Sequence, residues 1–110
     1  MDLELKKCDM EQVSFQLILH AGNSRSCSME VLALAKLGDF EGASDKLKEA
    51  EEQITLAHST QTKLLFNEAN GNKQIVDVLL VHAQDHLMTA IIILDFSREL
   101  LHLYQMLLKK

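Results

Sequence analysis

Hydrophobic positions recur along this chain at alternating steps of three and four, the spacing that keeps side chains on one stripe of an α-helix. From about 10 to 37 the stripe includes Val13, Leu17, Ile18, Ala21, Val31, Leu32, Leu34 and Ala35. Its middle is small and polar instead, with His20, Gly22, Asn23, Ser24, Arg25, Ser26 and Ser28. Gly and Ser weaken intrinsic helix propensity, so packing must hold this part helical, and small side chains also let another backbone or a ligand come close. Gly38-Asp39 then reads as a stop and a start. Glycine suits the left-handed position that ends a helix, and aspartate accepts the free N–H groups that open the next.

A second helix over about 39–66 carries a heptad seam of Phe40, Ala43, Leu47, Ala50, Ile54, Ala57, Gln61 and Leu64. That is bundle or coiled-coil spacing, with Glu41, Asp45, Lys46, Lys48, Glu49, Glu51 and Glu52 on a solvated outer face. Gln61 occupies a seam position and therefore needs a polar partner. Asn67 to Asn72 breaks the pattern with Asn and Gly, which predicts a mobile loop. The third helix, about 73–108, is apolar nearly all round from Ile75 to Phe96. A helix without a polar face must be covered on every side, and two other helices in a chain this small cannot do that. The pattern predicts oligomerisation through the third helix, with burial relaxing from Ser97 onward, where Arg98, Glu99, His102 and Gln105 restore a polar face.

Within that greasy run His82, Asp85, His86 and Thr89, at offsets 0, 3, 4 and 7, share one side of the helix. Burying unpaired polar groups costs several kilocalories, so this stripe calls for a function.

Composition narrows the classes. A chain of 110 residues is one domain, here 1–110, and with 47% hydrophobic residues, no proline and four glycines it is expected to be all-α. The formal net charge of −5 argues against a nucleic-acid surface. Cys8 and Cys27 are too few for a disulfide framework and read as free thiols of a reducing compartment. Met1 to Lys7 mixes acidic and basic residues without an apolar stretch and is not a signal peptide. The region 75–94 approaches membrane-spanning length, but Asp77, His82, Asp85 and His86 interrupt it, so the chain reads as cytoplasmic.

The chemistry of the stripe can be bounded by elimination. Two histidines four apart resemble a zinc-protease helix, but Ala83 stands where the glutamate base would be and no third ligand follows at a sensible spacing. A Ser/His/Asp triad lacks its strand-turn-helix elbow and oxyanion loop, and no glycine loop cradles a nucleotide. A core histidine held by a carboxylate one turn away is the plain alternative. The doubled imidazole and its place at the predicted oligomer seam stand against that alternative, and a histidine can also be a nucleophile that becomes covalently phosphorylated and passes the group on.

Leu80-Val81-His82-Ala83-Gln84-Asp85-His86-Leu87-Met88-Thr89 resembles the active-site helix of the enzyme IIA subunits of the bacterial lactose/cellobiose (and N,N′-diacetylchitobiose) phosphotransferase system. Gly22-Asn23-Ser24-Arg25-Ser26, Ala35-Lys36-Leu37-Gly38-Asp39-Phe40, Ala57-His58 and Gln61-Thr62-Lys63-Leu64 support it, and the similarity runs from about Phe15 to Leu108. The resemblance implies an antiparallel three-helix bundle that associates as a homotrimer of nine helices, the third helices central. It implies that His82 accepts a phosphoryl group from the phosphocarrier protein HPr and donates it to a cysteine of the cognate IIB, serving uptake of a β-linked disaccharide through the membrane IIC permease. It also implies that Asp85 from three subunits faces the axis, where a divalent cation such as Mg2+ can bind, relieving the repulsion of converging carboxylates. His86 is expected to support its neighbour rather than carry the phosphoryl group, and no role is carried onto His20 or Cys27.

A helical protein-interaction module is the rival. Ala33 to Ala43 resembles the helix-turn-helix of a tetratricopeptide repeat. Such repeats need several copies at a period of about 34 residues to bury their faces, and one copy is present.

Overall fold

A computed structural model of the chain describes residues 7–108, with side chains from Asp9 onward; the expected lead segment, the Cys8 thiol, Lys109 and Lys110 lie outside the described residues. Three helices make up the fold, α1 (Lys7–Lys36), α2 (Phe40–Ala69) and α3 (Val78–Leu108). No strand occurs among the described residues, and the all-α bundle is as expected. The molecule is a rod of 58 × 20 × 19 Å. Cross-helix bonds fix the direction of α2 against α1: His20 meets Gln53, Ser24 meets Ala50 and Cys27 meets Glu49, so numbers rise along one helix as they fall along the other.

Each helix buries one row. In α1 it is Met10, Ser14, Leu17, Ala21, Ser24, Ser28, Val31 and Ala35, alternating steps of four and three. In α3 it is Leu80, Ala83, Leu87, Ala90, Leu94, Ser97 and Leu101. The α2 seam divides in two. Ala43, Ala50, Ala57 and Leu64 recur every seven residues and are buried, while Phe40, Leu47, Ile54 and Gln61 are half-buried beside them. The small residues of α1 thus lie against alanines of α2, and the two backbones come close enough for Ser24 Oγ to donate to the Ala50 carbonyl at 2.9 Å. Ser97 Oγ likewise donates to the Ser28 carbonyl at 3.2 Å, tying α3 to the same serine row. These bonds explain why Ser24 and Ser97 stand in the core: their hydroxyls are satisfied by backbone oxygens that a larger side chain would hold away, whereas the buried Ser28 hydroxyl has no such partner among the described residues.

The turns follow from their end residues. Gly38, at φ +80°, closes α1 in a Schellman arrangement, its N–H donating to the Ala35 carbonyl at 3.0 Å and that of Asp39 to the Leu34 carbonyl at 3.0 Å. Asp39 then caps α2, Oδ1 accepting the Gly42 N–H at 3.0 Å. Gly71, at φ +88°, closes α2 in the same way, with Gly71 N–H to Glu68 and Asn72 N–H to Asn67. Because that closure sits at Gly71, Asn67 to Ala69 are helical rather than loop.

The start of α3 differs from expectation. Residues 73–77 are not helical, and the helix begins at Val78, five residues later than the apolar pattern indicated. Asp77 is the reason: its Oδ1 accepts the Leu80 N–H at 2.8 Å and its carbonyl accepts the Val81 N–H at 3.1 Å, the bonding of an N-cap. Burial at the other end persists to Leu101, then gives way to exposed Met106 and Leu107.

Gly42 is explained by the cap, since a Cβ there would stand 2.5 Å from Asp39 Oδ2. Gly→Ala inside a helix ordinarily stabilises by about 1 kcal/mol. Gly42→Ala should not, because it displaces a cap that contributes about 1 kcal/mol. In an Asp39→Ala background the same substitution should recover the full gain. Urea denaturation of the four proteins at one concentration measures this cycle, and additive effects would refute the account.

Candidate functional site

The Asp77 cap sets the phase of α3, and the phase decides what each polar residue of the stripe faces. Ala83, Leu87 and Ala90 turn inward. On the side opposite them lie Val81, Met88, Ile92 and Phe96, large apolar side chains that are 55%, 51%, 54% and 64% exposed. Asp85 is exposed on this same face, between Val81 and Met88, and pairs with no cation among the described residues. His82 and His86 stand on the edge between the packed row and this outer face, His82 exposed and His86 half-buried. The sequence placed His82, Asp85, His86 and Thr89 together; the fold divides them between an edge and an outer face.

The two imidazoles meet. His82 Nε2 and His86 Nε2 are 3.0 Å apart, with ring centroids 4.4 Å apart and the rings nearly perpendicular at 86°. One of those nitrogens must donate and the other accept, so at least one ring is neutral and presents a lone pair. The flank of His86 opens into a cleft of about 480 Å³ between α1 and α3, lined by Gly22, Arg25, Ser26, Met29 and His86. The motif Gly22-Asn23-Ser24-Arg25-Ser26 is therefore split by the helix: Ser24 is buried in the α1–α2 seam, while Gly22, Arg25 and Ser26 face the cleft. In sequence the motif is a small polar stretch open to a neighbouring backbone or a ligand. Its placement beside His86 depends on α1 and α3 running side by side, which local pattern does not disclose.

Gln84 points the other way. Its Oε1 accepts from Gln61 Nε2 at 2.6 Å, which supplies the polar partner expected for Gln61 in the α2 seam. His20 bonds through Nδ1 to Gln53 Oε1 at 2.8 Å and so belongs to the α1–α2 seam, away from α3.

Cys27 is a free thiol. Burial first, then its bond to the Glu49 carboxylate at 3.5 Å, raises it above the ordinary thiol range. Lys46 joins Glu49 at 3.0 Å and Glu30 at 3.1 Å, and the hydrogen bonds from Glu49 and then Glu30 raise the ammonium while the same lysine lowers Glu49. An exposed cluster of this kind fastens α1 to α2 modestly and offers no nucleophile.

No three His, Cys, Asp or Glu side chains among the described residues come together to hold a metal. Asp85 lies exposed on the outer face. By length and composition α3 could cross a bilayer, yet its row from Leu80 to Leu101 is packed against the other two helices of the bundle.

The structure is a long three-helix rod with a histidine pair on the edge of an exposed apolar face. Residues 12–105 match the family of the phosphotransferase-system lactose/cellobiose-specific IIA subunit. The lichenan-specific phosphotransferase enzyme IIA component of Bacillus subtilis is 50% identical over 97 residues, covering 88% of each chain. The crystal structure of the cellobiose-specific enzyme IIA from Bacillus anthracis superposes with a TM-score of 0.86 at 44% identity, covering 94% of this chain and 93% of that one. The chitobiose IIA of Escherichia coli, solved in complex with HPr, superposes with a TM-score of 0.76 at 37% identity, covering 88% and 94%. The chain belongs to the lactose/cellobiose-specific IIA family of the sugar phosphotransferase system. It is a transferase component of sugar transport, and the repeat-module reading falls away.

Proposed function

We propose that His82 is the residue that carries the phosphoryl group, taking it from phospho-HPr and delivering it to a cysteine of the cognate IIB. The observation that carries this reading is the His82–His86 contact: an exposed imidazole whose Nε2 is held 3.0 Å from a second imidazole nitrogen. With the proton of His82 on Nδ1, His86 donates its Nε2–H to the His82 Nε2 lone pair in the resting pair; that hydrogen bond opens as the donor phosphoryl group approaches, and the freed lone pair is the nucleophile. That lone pair forms the new N–P bond as the P–N bond of the donor breaks, and the departing nitrogen keeps its electrons. Delivery reverses the roles, the thiolate sulfur of IIB displacing His82. HPr as donor is supported by the Escherichia coli relative solved with it. Relatives named for lichenan, a β-linked glucan, and for cellobiose, a β-linked disaccharide, support a β-linked sugar as the cargo.

The same reading includes a homotrimer with α3 central. Its support is the outer face of Val81, Met88, Ile92 and Phe96, seven, four and four residues apart, which keeps them on one stripe of the helix as in a bundle seam. Covering that face brings three Asp85 carboxylates toward one axis. Unpaired carboxylates in a covered apolar seam are costly, and Asp85 pairs with no cation among the described residues, so the donor set fits a divalent cation such as Mg2+. When bound, the ion supplies charge neutralisation and holds the subunits together. The residues that would hold it are the three copies of Asp85, and His82 takes no part.

Incubation with phosphoenolpyruvate, enzyme I, HPr and labelled phosphate tests the carrier role. The wild-type protein should gain acid-labile, base-stable label and His82→Ala none; equal labelling of His82→Ala would move the site, with His86 the next candidate. Sedimentation with and without a chelator tests the assembly. Asp85→Ala should abolish the chelator dependence of the trimer while leaving subunit helicity unchanged, and a wild-type monomer under every condition would remove the trimer.

A further inference from the structure

The cleft beside His86 contains a cation that the fold does not use. Arg25 is exposed and makes no ion pair or side-chain hydrogen bond among the described residues. The other arginine, Arg98, is paired with Glu51 at 3.5 Å and with Asp95 at 3.2 Å. Lys46 is likewise held between two carboxylates. In a chain of net charge −5, an arginine left unpaired at a cleft is a vacant anion site rather than a shortage of acidic partners. Ser26 adds a hydroxyl to the same cleft wall. Gly22, one turn earlier, has nothing within 4 Å of the place a Cβ would occupy. A glycine in mid-helix costs stability relative to alanine, and no packing in the chain requires this one, so it keeps the cleft wall at backbone level for something that approaches from outside.

We propose that Arg25, assisted by Ser26, binds the phosphoryl oxygens during transfer to and from His82. This rests on His82 as the phosphorylated residue. A phosphoryl group on His82 Nε2 takes the space of the His82–His86 hydrogen bond, so its oxygens project on the flank of His86, where the cleft opens. The guanidinium places two parallel N–H donors on two of those oxygens, and the Ser26 hydroxyl can donate to a third. Charge that spreads over the equatorial oxygens in the transition state is met by a fixed cation. Arg25 makes and breaks no covalent bond and keeps its protons throughout. The N–P bond forms at His82 as the donor P–N bond breaks, both within reach of the same clamp.

Single-turnover transfer from phospho-HPr, measured over a range of phospho-HPr concentrations, tests this on wild type, Arg25→Gln, Arg25→Lys and Ser26→Ala. The half-life of each phosphorylated protein is followed after HPr is removed, with circular dichroism and sedimentation confirming an unchanged assembly. Arg25→Gln should lower the maximal rate by about 10- to 100-fold, the worth of a charged hydrogen bond, shift half-saturation by less than about threefold, and change the half-life. Arg25→Lys should recover part of the rate because it keeps the charge without the fork, and Ser26→Ala should lose less. A wild-type maximal rate and half-life in Arg25→Gln overturns the proposal. So does a defect confined to half-saturation, which would make Arg25 an HPr contact. Failure of wild type to label His82 is a separate result and strikes the carrier assignment instead.

Discussion

One helix has to be apolar on two opposite sides, and most of the molecule follows from that requirement. The inner side of α3 completes the subunit: Leu80, Ala83, Leu87, Ala90 and Leu94 fill the space between α1 and α2. The outer side, Val81, Met88, Ile92 and Phe96, is left more than half exposed by the described residues. Polar residues of α3 are therefore confined to the narrow edges between the two apolar sides, or stand on the outer side where their burial must be compensated. His82 and His86 occupy an edge, and Asp85 stands on the outer side. Chemistry placed on an edge stays within reach of a docking protein while remaining fixed by the packed row one residue away.

The α1–α2 seam makes that arrangement affordable in a small chain. Alanines every seven residues in α2 and serines in α1 let two helices pack at close range with little side-chain volume, and the Ser24 hydroxyl bonds to the Ala50 carbonyl across the seam. Large side chains are then concentrated where α1 and α2 meet α3. The same alternation in α1 turns Ser24 into the seam and leaves Gly22, Arg25 and Ser26 on the cleft wall, so one short motif serves packing on one side and an anion-binding surface on the other.

Much of this was legible in the chain. The α2 heptad named its buried alanines, Gly38-Asp39 named the first turn, and Gln61 announced a polar partner that proves to be Gln84. The His82 segment named the family because a local motif on a single helix survives translation into sequence intact. Two features were not legible. Ile75 and Val76 continue the apolar run, so periodicity extended α3 past the Asp77 cap, which declares itself only through its bonds to Leu80 and Val81. The 3.6-residue period also put His82, Asp85 and His86 on one face, whereas their separation into an edge and an outer face depends on where α1 and α2 lie.

The measurement that bears most directly on the carrier assignment is nitrogen–phosphorus correlation NMR on the histidine-15N-labelled protein after phosphorylation by phospho-HPr. One-bond coupling to phosphorus should appear at Nε2 of His82, with the nitrogens of His86 uncoupled. Coupling at a nitrogen of His86, with His82 uncoupled, would contradict the account.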